Sequence, residues 1–391
     1  MATASPDIAE KPRSLRIERG IRVAWLFPSL ARAYYWQPVL KEFAARCPNM
    51  AVFTSIWPGF APGYENSFAV HTLPGVRYVD LKKRLPDARR GFIWTPISIL
   101  KKLAAFGPDV VFASGFSGWT VCALLFRILR HSRVIILWDG CSAHALGSFK
   151  VQTMLRRWIA RFANAAVSNT DEGTMYLRDV IGMPQDKVLC HPYQVPDLAL
   201  LSSGEDEFPP TVMRPVFLYV GGLSFRKGWR YLIEASALLV RQGFHSFSVL
   251  FVGAGEQEQM QDAVRDHGLG GIVHQIGPVA YHNLGLYYTH ADVFVSPTRQ
   301  DVWGVAVLEA MAFGKPVLCS KHAGSRQMIK DGENGFTFDP ADAQELADYM
   351  AKFIVDPSLA QRLGARSLEE MAPFTPERAA DALVNLARET D

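Results

Sequence analysis

The segment DVWGVAVLEAMAFGKPV (residues 301–317) carries two carboxylates, Asp301 and Glu309, eight positions apart in an otherwise apolar run. A helix beginning near Gly304 would be apolar on nearly every side, the pattern of a buried helix. A carboxylate inside such a helix is costly unless polar partners meet it. Eight helical residues advance about 12 Å. That exceeds the separation of about 5–9.5 Å between carboxylates that act together on one glycosidic bond. The spacing therefore suits two acids that hold separate parts of one extended ligand. Backbone amides at Val302, Trp303 and Gly304 would face an anion lying between them, with the positive end of the helix dipole behind. The plainer alternative makes Asp301 a helix cap and Glu309 a paired core acid.

A positive charge stands in YVGGLSFRKGWRYLIEAS (219–236). Gly221 and Gly222 permit a tight turn, Lys227 supplies a point charge, and Gly228 precedes a helix. Amides at a helix start together with a lysine suit a phosphate. The spacing is not GxxxxGK[ST], so no Walker motif is present, and Lys227 by itself is equally a solvated lysine. Further on, FVGAG (251–255) and IGPV (276–279) place glycines at strand ends, and backbone at Gly277 could lie against a flat base. His282 and His290 are eight apart, which does not match the i, i+4 pairing of a helical metal site, so they read as packing residues.

These groups need a scaffold that gathers loops. Short β-branched runs alternate with helix-length segments along the chain. In the first half they are IRVAWLF (21–27), MAVFTSI (50–56), VRYVDL (76–81), DVVFAS (109–114) and RVIILWD (133–139). In the second half they are PVFLYVGG (215–222), FSVLFVGAG (247–255), IVHQIG (272–277), ADVFVSP (291–297) and KPVLCS (315–320). Continuous apolar runs mark strands buried on both faces of a parallel sheet, with helices as crossovers. The expected fold is α/β, two doubly wound Rossmann-like domains facing across a cleft, with ligands at the carboxyl ends of the strands. The expected boundaries are a tail at 1–20, a first domain at 21–200, a linker rich in Pro, Ser, Gly and acid at 201–214, a second domain at 215–372, and a terminal helix at 373–391 packing back toward the first domain.

Bulk composition narrows the class. The chain has 391 residues, 49% hydrophobic and 20% charged, so two globular domains are expected. A formal charge of +3 gives no reason to expect a nucleic-acid partner. The five cysteines form no CxxC pair, which points away from a disulfide framework or zinc site and toward a reducing compartment. The first twenty residues show no apolar signal core, and no run of about 18 apolar residues occurs. The expected location is the cytoplasm.

Taken together, VGGLSFRKG, FVGAG, IGPV, DVWGVAVLE with AMAFGKPV, and DGENGF (331–336) run in order through most of residues 215–340. In this order they resemble the C-terminal domain of retaining GT-B glycosyltransferases of family GT4. The resemblance implies a hexosyltransferase that takes a sugar from a UDP- or GDP-linked donor to a glycan or lipid-linked acceptor, as in bacterial cell-surface polysaccharide synthesis. It implies that Asp301 contacts the donor sugar, Glu309 the nucleotide ribose, and Lys227 the diphosphate, with no metal or other cofactor. Three departures are visible: Asp301 stands where the family usually has Glu, Trp303 where it has Phe, and Gly222 where it often has Arg. Arg226 or Arg299 would then share the phosphate charge. An inactive nucleotide-sugar-binding subunit and a nucleotide-sugar epimerase are the alternatives on the same fold. A dehydrogenase would need an early GxGxxG with an acid about 20 residues on, which is missing.

On the acceptor side, LFPSLARAYYWQPVLKEFAAR (26–46) has Ala31 and Ala33 where the family has glycines, with Arg32 between them as a further candidate. Tyr34, Tyr35 and Trp36 either line an acceptor pocket or anchor the next helix. In RVIILWDGCSAHA (133–145), Asp139 and His144 stand near where the family carries a histidine, and Asp before Gly is also a common turn. Two basic stretches, 81–102 with Lys82, Lys83, Arg84, Arg89 and Arg90, and 150–163 with Arg156, Arg157 and Arg161 beside Leu155, Trp158 and Ile159, raise peripheral contact with an anionic membrane at its inner face. A solvated helix face is the alternative.

Overall fold

The computed structural model describes residues 20–30, 34–74, 78–81, 90–93, 95–140, 150–202, 204, 208 and 212–389. Two parallel sheets organise them. The first contains strands β1 (Val23–Phe27), β2 (Met50–Thr54), β3 (Ala69–Thr72), β6 (Val110–Ser114), β7 (Arg133–Trp138), β8 (Ala165–Ser168) and β9 (Val188–Cys190), in the order β3-β2-β1-β6-β7-β8-β9. The second contains β10 (Val216–Val220), β11 (Ser248–Val252), β12 (Val273–Gly277), β13 (Val293–Ser296), β14 (Val317–Ser320) and β15 (Gly335–Phe338), in the order β12-β11-β10-β13-β14-β15.

Continuous apolar strands are explained by a core on each face. Along β1, Val23, Trp25 and Phe27 enter one core while Ala24 and Leu26 enter the other. Trp25 stacks on Phe112 of β6 with ring centroids 4.3 Å apart. The Pro376–Arg388 helix adds Ala380, Leu383 and Val384 to the first-half core, beside Phe43 of the Gln37–Arg46 helix. Arg46 Nε meets Asp381 at 2.5 Å.

One expected strand pairs differently. VRYVDL yields β4 (Tyr78–Leu81), which lies outside the parallel sheet and pairs antiparallel with β5 (Arg90–Ile93) in a two-stranded ribbon. The eight residues between them are too few for a crossover helix, so antiparallel pairing is the available arrangement. Strands β3, β8, β9 and β15 are three or four residues long and gave no apolar run that stood out from the sequence.

Candidate functional site

In each sheet the strand order reverses direction once, between β1 and β6 and between β10 and β13. The loops leaving the carboxyl ends of strands that flank such a reversal splay apart and open a crevice. In the second sheet those two loops are Gly221–Gly228 after β10 and Pro297–Gly304 after β13, and they carry Lys227 and Asp301. The two side chains meet: Lys227 Nζ donates to Asp301 Oδ2 at 2.6 Å. Both are substantially covered, at 26% and 15% side-chain exposure. Arg226 Nη1 lies 3.8 Å from Asp301 Oδ1 and donates to the Gln300 carbonyl at 2.8 Å. Two cations and one carboxylate thus converge at the mouth of the crevice.

The backbone holds this geometry without latitude. Gly228 has φ +70°, and a Cβ there would sit 2.0 Å from the Pro297 carbonyl oxygen, so only glycine lets the two loops touch. Gly304 has φ +86°, and a Cβ would press on Ser325 Oγ at 2.9 Å. That left-handed residue is also why the helix begins at Val305 and spans Val305–Ala312. Asp301 lies before it in a bridge to Ala323 and is not the helix cap. Only the last part of the Asp301–Glu309 span is therefore helical, and the 12 Å helical rise does not apply. The Val302 amide, expected to face a ligand, is taken by Asp301 Oδ1 at 3.0 Å. Trp303 turns inward, 2% exposed, and its Nε1 donates to the Gln194 carbonyl at 3.0 Å, which joins the two halves.

Glu309 is buried at 4% exposure and its partners are two tyrosines. Tyr281 donates to Oε1 at 2.9 Å and Tyr288 to Oε2 at 2.6 Å. Burial pushes its pKa up, and the two phenol hydrogen bonds pull it back. Tyr281 also packs with Ala61, Tyr64 and Leu200, so the acid sits where the halves meet. Each carboxylate oxygen keeps a second lone pair for a ligand hydroxyl.

The first half supplies the opposite wall. Asp139, at the end of β7, accepts from Tyr193 OH and from Asn169 Nδ2 at 3.2 Å. It keeps a strip of solvent contact, yet protein atoms surround its carboxylate, and burial pushes its pKa up from 3.8 to about 6. Tyr35 is raised by burial and then by the negative charges of Asp139 and Asp301 together. That one phenol thus senses an acid from each half. Trp36 beside it is 3% exposed and stacks on Tyr193 at 5.1 Å, a core anchor. Tyr35 packs against the same core from its edge and is only partly buried.

Other candidates fall as follows. The Gly221 amide donates to the Val252 carbonyl at 2.9 Å, the Gly222 carbonyl accepts from Tyr219 OH at 2.8 Å, and the Gly277 carbonyl accepts from the Gly253 amide at 2.8 Å. Arg299 stacks on Phe225 at 4.2 Å and donates to Tyr231, so its guanidinium is occupied beside the loop. His290 stacks on Phe208, a packing role, and the backbone carbonyl of His282 accepts from the Gly204 amide. Arg32, His144, Lys82, Lys83, Arg84 and Arg89 lie outside the described residues. Among the described residues, no three His, Cys, Asp or Glu side chains are grouped to hold a metal ion. The sequence reading missed Tyr193, Asn169, Tyr281 and Tyr288, all of which are single polar residues on separate elements; Tyr281, two residues after IGPV, carried the only local signal.

Residues 205–369 match the family described as glycosyl transferases group 1. Over 177 residues the chain is 27% identical to alpha-D-kanosaminyltransferase of Streptomyces kanamyceticus, covering 45% of this chain and 46% of that protein. Over 174 residues it is 31% identical to the lipopolysaccharide core biosynthesis glycosyltransferase LpsE of Rhizobium meliloti, covering 44% and 49%. The chain thus spans about half the length of these two relatives. The structure of HepE from Anabaena in complex with UDP has the same fold, with a TM-score of 0.72 at 16% identity over 94% of this chain and 99% of that one. Two parallel-sheet α/β domains of this kind define the GT-B class. Within that fold, it is the second half, residues 205–369, that resembles the group 1 glycosyl transferases.

Proposed function

We propose that this chain transfers a hexose, with retention of anomeric configuration, from a nucleoside-diphosphate sugar to a glycan or lipid-linked acceptor of a cell-surface polysaccharide. The observation that carries this is the meeting of Lys227, Arg226 and Asp301 at the strand-order reversal, with Glu309 one helix turn further in. The diphosphate takes Lys227 from Asp301, and the released carboxylate accepts a hydroxyl of the donor sugar. Glu309, backed by its two phenols, accepts from the ribose. The bond from C1 to the diphosphate oxygen breaks, the acceptor oxygen bonds to C1 on the same face, and the acceptor proton passes to the leaving phosphate. Lys227, Arg226 and the first amides of the Val305–Ala312 helix stabilise the charge that develops there, and no metal ion is required in this scheme. Asp139 and Tyr35 face the acceptor. Closure of the two halves excludes water.

A thermal-shift panel with UDP, GDP and ADP and their sugar conjugates tests the donor site. Ligand at 100 times its dissociation constant should add about 2.7 kcal/mol to the wild type. One base should stabilise the wild type and neither Lys227→Ala nor Glu309→Ala. A folded wild type that responds to no nucleotide overturns the donor site. Transfer that persists in a chelator, with the product anomer matching the donor, supports the remainder of the scheme, and inversion or chelator-sensitive activity refutes it.

A further inference from the structure

The Lys150–Arg161 helix is turned inside out. Its apolar residues Val151, Met154, Leu155 and Trp158, with Phe162 just beyond, recur at the spacing of a core-facing stripe. They point to solvent: Val151 is 70% exposed and Trp158 is 53% exposed. Arg156, expected on the outer face, turns to the protein, and Arg157 is tethered to it while staying exposed. The Arg156 guanidinium lies 5.1 Å over the Trp138 ring and donates to Tyr176 OH at 2.8 Å. Arg157 donates to the Val180 carbonyl at 2.8 Å. Ile159, which the sequence placed with the apolar contact side, is buried.

The neighbouring Gly118–Arg130 helix extends the same face. Leu125, Ile128 and Leu129 are exposed, the last two at 72% and 73%. A groove of about 650 Å³ runs between the two helices, with Leu124, Ile128, Trp158 and Phe162 in its walls. Contiguous exposed apolar surface on this scale marks a docking site. The charge around it selects the partner. No Asp or Glu occurs from residue 110 to 138 or from 140 to 170, while Arg130, Lys150, Arg157 and Arg161 are exposed there. A second copy docked through the same face would set these cations against each other. An anionic surface complements them, and exposed Trp, Leu and Ile among arginines suit the headgroup level of a bilayer.

We propose that this two-helix face docks on an anionic lipid bilayer, with the apolar stripe of Lys150–Arg161 inserted and the cations at the headgroups. The site lies on the outer face of the first half and stands whether or not the donor site is as described above.

The test is co-sedimentation of the full chain with vesicles of phosphatidylcholine alone and of an equal mixture with phosphatidylglycerol. The wild type should bind the mixed vesicles and not the neutral ones, with weakening in salt. The variant Met154→Ser/Leu155→Ser/Trp158→Ser should bind at least about tenfold less, because inserted apolar area is the main source of affinity. Its melting temperature should match the wild type, since these side chains are exposed, and Leu368→Ser, an exposed apolar residue of the second half, should bind as the wild type does. A wild type that ignores anionic vesicles, or a triple variant that binds equally well, overturns the proposal. So does a wild-type dimer that the triple variant converts to monomer, which would assign the face to a second copy.

Discussion

Asp139→Asn should make the protein more stable at neutral pH while impairing transfer. Asp139 has its pKa raised from 3.8 to about 6, with burial as the main cause and the hydrogen bonds from Tyr193 and Gln194 opposing it. An acid whose folded pKa is raised binds its proton more tightly when folded. The stability this provides is complete below the unfolded pKa and is lost as pH rises through the folded one. The shift of about two units, at 1.36 kcal/mol per unit, corresponds to about 3 kcal/mol lost between about pH 4 and pH 7. Asparagine never ionises, and its carbonyl oxygen still accepts from Tyr193 and Asn169. The variant should therefore gain about 3 kcal/mol on the wild type across that interval, or about 6–12 °C in melting temperature for a domain of about 200 residues. Thermal melts of both proteins from about pH 4 to pH 8 read this directly. A melting difference that stays constant with pH would show that the carboxylate bears no burial penalty and would refute the reasoning. Gain in stability with loss of transfer also separates a site residue from a structural one.

Glu309→Gln should behave in the same sense, more stable at neutral pH with the difference shrinking as the solution is acidified, because burial raises this acid as well; nucleotide-induced stabilisation should disappear, which the thermal-shift panel checks. Lys227→Ala and Asp301→Ala should not be additive in stability, since their 2.6 Å ion pair is largely covered, and a double-mutant cycle should give a coupling of about 1–2 kcal/mol. Gly304→Ala should cost about 1–2 kcal/mol in urea unfolding, from the left-handed backbone and the 2.9 Å approach to Ser325, and should weaken nucleotide binding with it.

Much of the second-half site was legible because its parts are local. Gly221 through Lys227 and Asp301 through Glu309 each sit in one short segment following an apolar strand, so type and spacing carry the chemistry. The helix expected from near Gly304 does begin at Val305, and the misreading was to count Asp301–Gly304 as helical, because the sequence permits the left-handed φ of Gly304 without requiring it. The first-half wall was far less legible. Asp139 stood out only as an acid at a strand end, while Tyr193 and Asn169 give no local sign that they will converge on it from β8 and the segment after β9. Tyr288 was likewise invisible as a partner of Glu309, and Tyr281 had only its place just after IGPV to mark it.

The chain's own pattern determined the two parallel sheets, since strands buried on both faces must be apolar throughout, and it determined that an acid and a lysine would lie after strands of the second sheet. Tertiary structure alone decided that Lys227 pairs with Asp301, that Tyr35 lies in the field of acids from both halves, and which way the Lys150–Arg161 helix faces. Periodicity defines an apolar stripe but not its direction. Here Arg156 found an aromatic cage of Trp138 and Tyr176 on the inner side, and the stripe was left facing outward.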